Sequence, residues 1–143
     1  MDCSHVFLTQ FHTRKQVILF PPSQSKFLYQ HPFTVMSHVH PLKPDYEKYP
    51  AAINAEGYET VLQHGETLFI PQLWWHYINY IDGGFSLSLR ANDSVLTTLR
   101  GAFNISRHVV VDKGMNALLG SRWQNWKEEK AAERAMEALS EIL

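Results

Sequence analysis

The stretch Gly65–Ile78 places a single histidine directly after two tryptophans. Its first residues are typical of a tight turn, the apolar residues that follow predict a short strand, and Pro71 bounds the bend before His76. A neutral imidazole fixed at a strand end and walled by aromatic rings can bind a metal ion in a cavity that excludes water. The alternative is a core histidine that packs among the tryptophans, and this motif alone is compatible with both interpretations.

Asp2 precedes a pair of short apolar runs at the start of the chain. Residues 7–11 and 16–20 are rich in β-branched or aromatic side chains and predict two strands, the second of which ends at two prolines. Lys15 stands at the head of the second strand. A carboxylate and a distant imidazole are two of the three ligands in the two-histidine, one-carboxylate set that binds non-haem Fe(II).

Further motifs follow in a fixed order. They are KQVILFPP at 15–22, LY at 28–29, PDYEKYP at 44–50, GYETV at 57–61, the block 65–78, and GGFSLSL at 83–89. In these motifs and their spacing the chain resembles the Jumonji C (cupin-like) family of Fe(II)- and 2-oxoglutarate-dependent oxygenases. The resemblance covers about residues 1–92. Within the family the chain looks closest to the asparaginyl hydroxylase that modifies hypoxia-inducible factor, and to its bacterial relatives.

The resemblance implies roles for individual residues. Asp2 matches the carboxylate of the family's His-x-Asp iron motif, and His76 matches the distal iron-binding histidine. Lys15 matches the lysine that pairs with the far carboxylate of 2-oxoglutarate; without the resemblance it would be interpreted as a solvated residue at a strand end. Arg90 stands where relatives usually carry an asparagine that helps hold the co-substrate. It either grips a carboxylate there or points into solvent.

One position of the iron motif lies outside this sequence. The first histidine of His-x-Asp would stand one residue before Met1, so we expect an N-terminally truncated chain, a preceding residue outside this numbering, or a protein that lacks this ligand. His5 is not expected to replace it, because the motif relies on alternate strand residues that share a face. Val6 also departs from the family, in which this position is often polar.

A long proline-rich segment at residues 21–56 is expected to form an insert loop. In the family the corresponding insert lies near the cavity mouth and contributes to substrate binding, and long loops in compact domains are often functional. Met36 and His38 are therefore candidates for substrate contact, although His38 and its neighbouring histidines also fit ordinary loop residues. Trp75 and Asn92 are similar candidates near the iron end.

The composition of the chain argues against several other classes of protein. The 143 residues are 45% hydrophobic with a net charge of −1, which fits one folded domain and offers no basic block for nucleic acid. Cys3 is the single cysteine, so no disulfide framework or cysteine-rich zinc site is expected. No apolar run is long enough to suggest a membrane span or a signal sequence. We expect a cytoplasmic protein with no nucleic-acid or membrane partner.

The residues after Asn92 change to a helical pattern. Asp93 and Ser94 can cap a first helix, and the apolar positions between Ser121 and Leu143 recur every three or four residues. We expect a mainly β protein with C-terminal α-helices: a double-stranded β-helix (cupin or jelly-roll barrel), incomplete at its N-terminus, over 1–92, and a helical region over 93–143. The apolar stripe packs on its own chain or, as the resemblance implies, forms a homodimer.

Two functions from different classes follow. The first is an Fe(II)- and 2-oxoglutarate-dependent oxygenase, assisted by ascorbate, that hydroxylates a protein or peptide side chain. The second is a non-catalytic cupin-like dimeric scaffold or small-ligand-binding module without a complete iron triad. A metal-dependent sugar-type cupin would not account for Lys15 or for the histidine beside the tryptophans. The sequence leaves open the substrate, hydroxylation as against demethylation, and which divalent metal binds.

Overall fold

A computed structural model describes residues 3–92, 95, 99, 101–103, 106 and 108–142 of the protein. The chain divides into two compact units, Met1–Pro22 with Glu56–Gly101, and Ser23–Ala55 with Ala102–Leu143. The boundary expected near residue 92 stays a prediction. The cap expected at Asp93 and Ser94 lies outside the described residues.

The first unit contains two antiparallel sheets of three strands each. The strands are β1 His5–Gln10, β2 Lys15–Phe20, β3 Tyr58–Leu62, β4 Thr67–Ile70, β5 Trp75–Tyr80 and β6 Ser86–Ala91. One sheet has the order β4–β1–β6 and the other the order β3–β2–β5.

The core of this unit lies between the inner faces of the two sheets. Because side chains alternate along a strand, β1 contributes Val6 and Leu8 while β2 contributes Val17 and Leu19. Leu62 and Ile70 complete the buried cluster, against which Leu68, Trp74 and Ile78 pack. The register of each strand fixes which polar side chains share the inner face. A register shift of one residue would move all of that strand's inner side chains to the outer face.

The second unit contains the proline-rich segment and the C-terminal helices. A 3₁₀ turn spans Pro50–Asn54, a π-helical turn His108–Lys113, helix α1 Gly114–Leu119 and helix α2 Ser121–Ser140; a further 3₁₀ turn, Pro22–Ser25, begins at the unit boundary. The core joins residues of segment 23–55 to α2: Tyr29, Val39, Ala51, Ala52, Ala131 and Ala135. The buried face of α2 therefore packs within this unit; it consists of Trp123, Lys127, Ala131, Ala135 and Ala138. Three large residues of the predicted apolar stripe, Trp126, Met136 and Ile142, are exposed.

The fold class expected from the sequence is confirmed: the protein is mainly β, with paired antiparallel sheets of the cupin type followed by C-terminal helices. Among the helices of the described residues, none is long and apolar enough to cross a membrane.

Candidate metal and co-substrate site

His76 lies on the inner face of β5. It pairs with Leu19 of β2, whose side chain belongs to the core between the sheets. The Nδ1 atom of His76 is buried from solvent. The ring is therefore held inside the sheet sandwich near the start of β5, next to apolar side chains. This is the environment that the sequence predicted for a metal-binding imidazole, and equally the one for a core histidine.

Lys15 lies at the opposite end of the same inner face. Only 2% of its surface is exposed. Its Nζ donates a hydrogen bond to Ser86 Oγ and lies 4.6 Å from the centre of the Tyr80 ring. No Asp or Glu of the described residues forms an ion pair with it. Burial away from water lowers the pKa of the Lys15 ammonium from its ordinary value, since desolvation penalises the charged form.

Gln10 and Ser86 complete this end of the inner face, and neither was predicted as a site residue. The two residues pair across β1 and β6, and Gln10 is 1% exposed. The Gln10 Nε2 donates to the carbonyl of His12, while Oε1 is buried with no hydrogen-bond partner among the described atoms. Alternation from Val6 and Leu8 would have placed Gln10 on the inner face. The Lys15 ammonium therefore contacts the hydroxyl of Ser86, and the buried amide of Gln10 belongs to the residue that pairs with Ser86.

Arg90 lies on the face of β6 that Ser86 also occupies, and it pairs with Val6 on β1. Its side chain is exposed, unlike Lys15. The polar face of β6 is thus the face that meets Lys15. The predicted role of Arg90 in holding the co-substrate stays a prediction, as does that of Asn92, an exposed residue just after β6.

The aromatic and histidine neighbours of the site fall on different faces. Trp75 is buried but lies on the face of β5 opposite to His76. Trp74 packs against the core between the sheets. His5 lies on the outer face of β1, where its ring stacks on Phe69 and its Nδ1 accepts the backbone N–H of Gln72. The expectation that His5 does not replace the missing ligand stays a prediction.

The remaining sequence-predicted residues lie elsewhere. Met36 and His38 belong to the second unit, where His38 stacks on buried His31 with ring centres 4.3 Å apart. Asp2 lies outside the described residues. Within the part of the chain that the structure describes, no three His, Cys, Asp or Glu side chains group in a way that could hold a metal ion.

The inner face therefore presents two chemical groups at separate ends. Lys15 and Leu19, the register partner of His76, are four residues apart on β2, or about 13 Å at roughly 3.3 Å per residue. The buried ammonium suits one end of an elongated anion, because a charge removed from water requires an opposite charge. The imidazole suits a divalent metal at the other end.

Two facing antiparallel sheets with polar groups on their inner faces define a cupin-type domain. The chain belongs to this family: residues 1–106 match the model described as a cupin-like domain. Members of the cupin-like and Jumonji C group are Fe(II)- and 2-oxoglutarate-dependent oxygenases, among them hydroxylases and demethylases.

Relatives with different printed names match the same region. The HSPB1-associated protein 1 homolog of Danio rerio is 41% identical over 85 residues, which are 56% of this chain and 18% of that protein. Lysine-specific demethylase 8 of Xenopus tropicalis is 35% identical over 90 residues, 61% of this chain and 20% of that protein. The tRNA wybutosine-synthesizing protein 5 of Gallus gallus is 37% identical over 88 residues, 62% of this chain and 27% of that protein. The chain spans about a fifth to a quarter of the length of these relatives.

Proposed function

We propose that this chain carries the co-substrate site of an Fe(II)- and 2-oxoglutarate-dependent oxygenase that hydroxylates a protein or peptide side chain. The observation that carries the proposal is Lys15, a fully buried ammonium that no described carboxylate neutralises. Removing the ammonium from water carries a penalty of several kcal/mol, against which the described residues set only the Ser86 hydroxyl and the Tyr80 ring. A bound anion would add a full opposite charge, and the family's co-substrate is a dicarboxylate.

In this proposal, different residues of the inner face bind the co-substrate and the metal ion. Lys15 binds the far carboxylate of 2-oxoglutarate, and Ser86 holds the ammonium in place through its hydroxyl. His76 and Asp2 supply two ligands for iron, a set whose neutral imidazole and carboxylate suit Fe(II). Bound iron would supply oxygen activation coupled to the conversion of 2-oxoglutarate to succinate and carbon dioxide. The apolar core beside His76 excludes water from that end.

The substrate class follows the sequence-based expectation. A protein side chain is favoured over nucleic acid because the chain has a net charge of −1 and no basic run. Among the relatives, one is named for lysine demethylation and one for tRNA modification. A kinship with the asparaginyl hydroxylase of hypoxia-inducible factor, and a cytoplasmic location where ferrous iron persists, belong to the same proposal.

The second candidate is a non-catalytic cupin-like module. It is favoured by one observation, that Arg90 stands where relatives usually carry an asparagine that helps hold the co-substrate. Such a module would still use Lys15 to bind a small carboxylate, but would form no catalytic iron centre. The two candidates differ in whether ligand binding depends on a metal ion.

Binding and turnover separate them. We would titrate 2-oxoglutarate into the chain by calorimetry with and without Mn²⁺ as an inert stand-in for Fe(II), then measure succinate with Fe(II) and ascorbate. The oxygenase predicts metal-dependent binding that Lys15→Met and His76→Ala both weaken, while Lys43→Met, which changes an exposed lysine, has no effect. Metal-independent binding without succinate would assign the module. No binding at all would overturn the oxygenase and the ligand-binding module, and would leave the dimeric scaffold that the second candidate also includes.

A further inference from the structure

The second unit contains a cavity that shares no residue with the candidate metal and co-substrate site. Its volume is about 210 Å³, and segment 23–55 and helix α2 supply its lining. The lining residues include Tyr29, His31, Lys48, Tyr49, Glu128 and Ala132. Pockets for cofactors and drug-sized ligands measure about 300–1,000 Å³. This cavity is therefore sized for a single amino-acid side chain or a fragment of similar size.

The walls of the cavity are apolar and already ordered. The Tyr29 and Tyr49 rings meet edge to face with their centres 5.0 Å apart. The Tyr29 hydroxyl accepts the backbone N–H of Ala51 at 3.1 Å, which holds that ring in place. On the helix side, Ala131 and Ala132 present only methyl groups and leave open the space that longer side chains would fill. A ligand therefore loses little affinity to the ordering of these walls.

His31 adds a buried polar ring to this lining. It is 5% exposed, and its ring stacks on the His38 ring with the two centres 4.3 Å apart. Its main-chain groups bond to Met36 and Thr34, but its ring nitrogens form no hydrogen bond with any described residue. Burial lowers the pKa of His31, so the imidazole is neutral near pH 7 and keeps one acceptor nitrogen. A buried polar group of this kind favours a ligand that supplies its partner.

The charges at the rim of the cavity favour a cation. Glu128 and Glu129 are exposed, and no described Lys or Arg forms an ion pair with either. Lys48 opposes these two carboxylates with a single positive charge. Its ammonium lies 5.2 Å from the centre of the Tyr49 ring, and contact with Tyr49, followed by the charge of Glu128, raises the pKa of Lys48. The rim therefore stabilises positive charge beside an aromatic ring.

We propose that this cavity binds an arginine side chain of a protein partner. A guanidinium is planar, is more weakly hydrated than an ammonium and stacks on aromatic rings such as those of Tyr29 and Tyr49. Its N–H groups suit the Glu128 carboxylate and the acceptor nitrogen of His31. An anion would instead meet the carboxylates of the rim. The cavity has room for the side chain but not for the main chain, which leaves the rest of a polypeptide outside.

Calorimetric titration of the whole chain with N-acetyl-arginine amide tests the proposal. We expect saturable binding, with a Kd at least about 10-fold higher for N-acetyl-citrulline amide, which has a similar shape without the charge. N-acetyl-glutamate amide should not bind. Free arginine should bind no more tightly than the capped form, because its α-carboxylate gains no partner. Tighter binding of free arginine would indicate a metabolite and overturn the assignment to a protein partner.

Substitutions then assign the binding to the cavity. Glu128→Gln should raise the Kd about 10-fold or more, whereas Glu137→Gln, at an exposed position of α2 outside the lining, should leave it unchanged. Ala132→Leu fills the cavity with a residue that suits a helix, so it should abolish binding and keep the circular dichroism spectrum. Lys48→Met should tighten binding, because it removes the cation that lies beside the Tyr49 ring.

Several results would overturn the proposal. One is a chain that does not bind capped arginine, and another is equal affinity for the arginine and citrulline compounds. Binding that is indifferent to both Glu128→Gln and Ala132→Leu would place the ligand elsewhere on the chain. Loss of binding in Lys48→Met would show that the ligand is an anion. None of these outcomes bears on the proposed oxygenase, because the cavity uses none of its residues.

Discussion

Replacing Lys15 by methionine tests the argument that this ammonium is buried to meet a ligand. Methionine keeps the length and apolar stem of the side chain but removes the charge and its hydrogen bond to Ser86. If Lys15 only stabilises the fold, the substitution should lower the stability of the ligand-free protein. If Lys15 binds a ligand, the substitution should mainly lower the affinity for that ligand. The two interpretations therefore differ in which quantity, stability or affinity, is lost.

The magnitudes follow from the contacts of Lys15. The ligand-free protein loses a charge-assisted hydrogen bond of about 1.5–3 kcal/mol and a cation–π contact of about 1–2 kcal/mol. It also loses the desolvation penalty of a buried ion, which is several kcal/mol. We expect these to offset within about 1 kcal/mol. Binding of a dicarboxylate, by contrast, loses one partner of a buried charge pair, at about 2–5 kcal/mol or roughly 30-fold or more in Kd.

Chemical denaturation with and without 2-oxoglutarate and Mn²⁺ measures both quantities. At a ligand concentration 100 times the parent's Kd, binding should stabilise the parent by about 2.7 kcal/mol and Lys15→Met by less than about 0.9 kcal/mol. Because the pKa of Lys15 is lowered by burial, the affinity should also fall as the pH rises through that pKa, below the ordinary 10.5. An Lys15→Met protein that is strongly destabilised yet keeps its full ligand response would refute the reasoning.

Three further predictions concern the packing of each unit. Burial, with the charges of His38 and Lys127 next, lowers the pKa of His31; the stability it contributes is complete above about pH 6.5 and lost as the pH falls through the lowered pKa. His31→Gln should therefore flatten the acid side of a plot of urea midpoint against pH. Asp112 accepts hydrogen bonds from Trp123 and Lys127 at 2.9 and 2.6 Å. Asp112→Ala should cost about 3–5 kcal/mol in urea unfolding because it leaves the Lys127 ammonium buried alone, and addition of Lys127→Met should recover part of that loss. A Cβ at Gly57 would lie 2.7 Å from the carbonyl oxygen of Leu19, so Gly57→Ala should lower the free energy of unfolding by about 1–3 kcal/mol. Gly83→Ala is the control, because its Cβ would have nothing within 4 Å. It should change the stability little, apart from its effect on the unfolded chain.

The strands were predictable because their signals are local. Alternating apolar residues and terminal prolines mark β2, and the apolar run after Gly65 marks β4. The pairing of β1 with β6 joins residues about eighty positions apart, and no local signal encodes it. This pairing was not predicted from the sequence.

The second unit was harder to predict for a physical reason. The segment 21–56 has few alternating residues, so it was expected to be an insert loop. In the structure its buried residues Tyr29 and Val39 share a core with Ala131 and Ala135 of α2. A core made largely of alanine gives a weak amphipathic pattern, since alanine is neither strongly apolar nor large. The helix was predictable, but the partner of its packed face was not.

Two residues of the candidate site, Gln10 and Ser86, were not predicted as site residues because their role depends on strand register. Lys15 was selected because a family motif contains it, whereas Ser86 and Gln10 are common residue types in strands of unremarkable composition. Their importance arises from register: β1 pairs Gln10 with Ser86, and the sheet sandwich brings Ser86 to Lys15. Each of the three side chains would be satisfied by water in an unfolded chain. Burying them together is unfavourable unless something completes the set, because an ammonium and an amide oxygen in a dry cavity require partners. A carboxylate that accepts from Lys15, accompanied by a hydrogen-bond donor for Gln10 Oε1 such as an ordered water, would complete it.

Gln10→Leu, which keeps the approximate volume but removes the unsatisfied oxygen, should therefore stabilise the ligand-free protein while weakening its response to 2-oxoglutarate. An equal effect on both forms would show that Gln10 belongs to the β1–β2 turn alone.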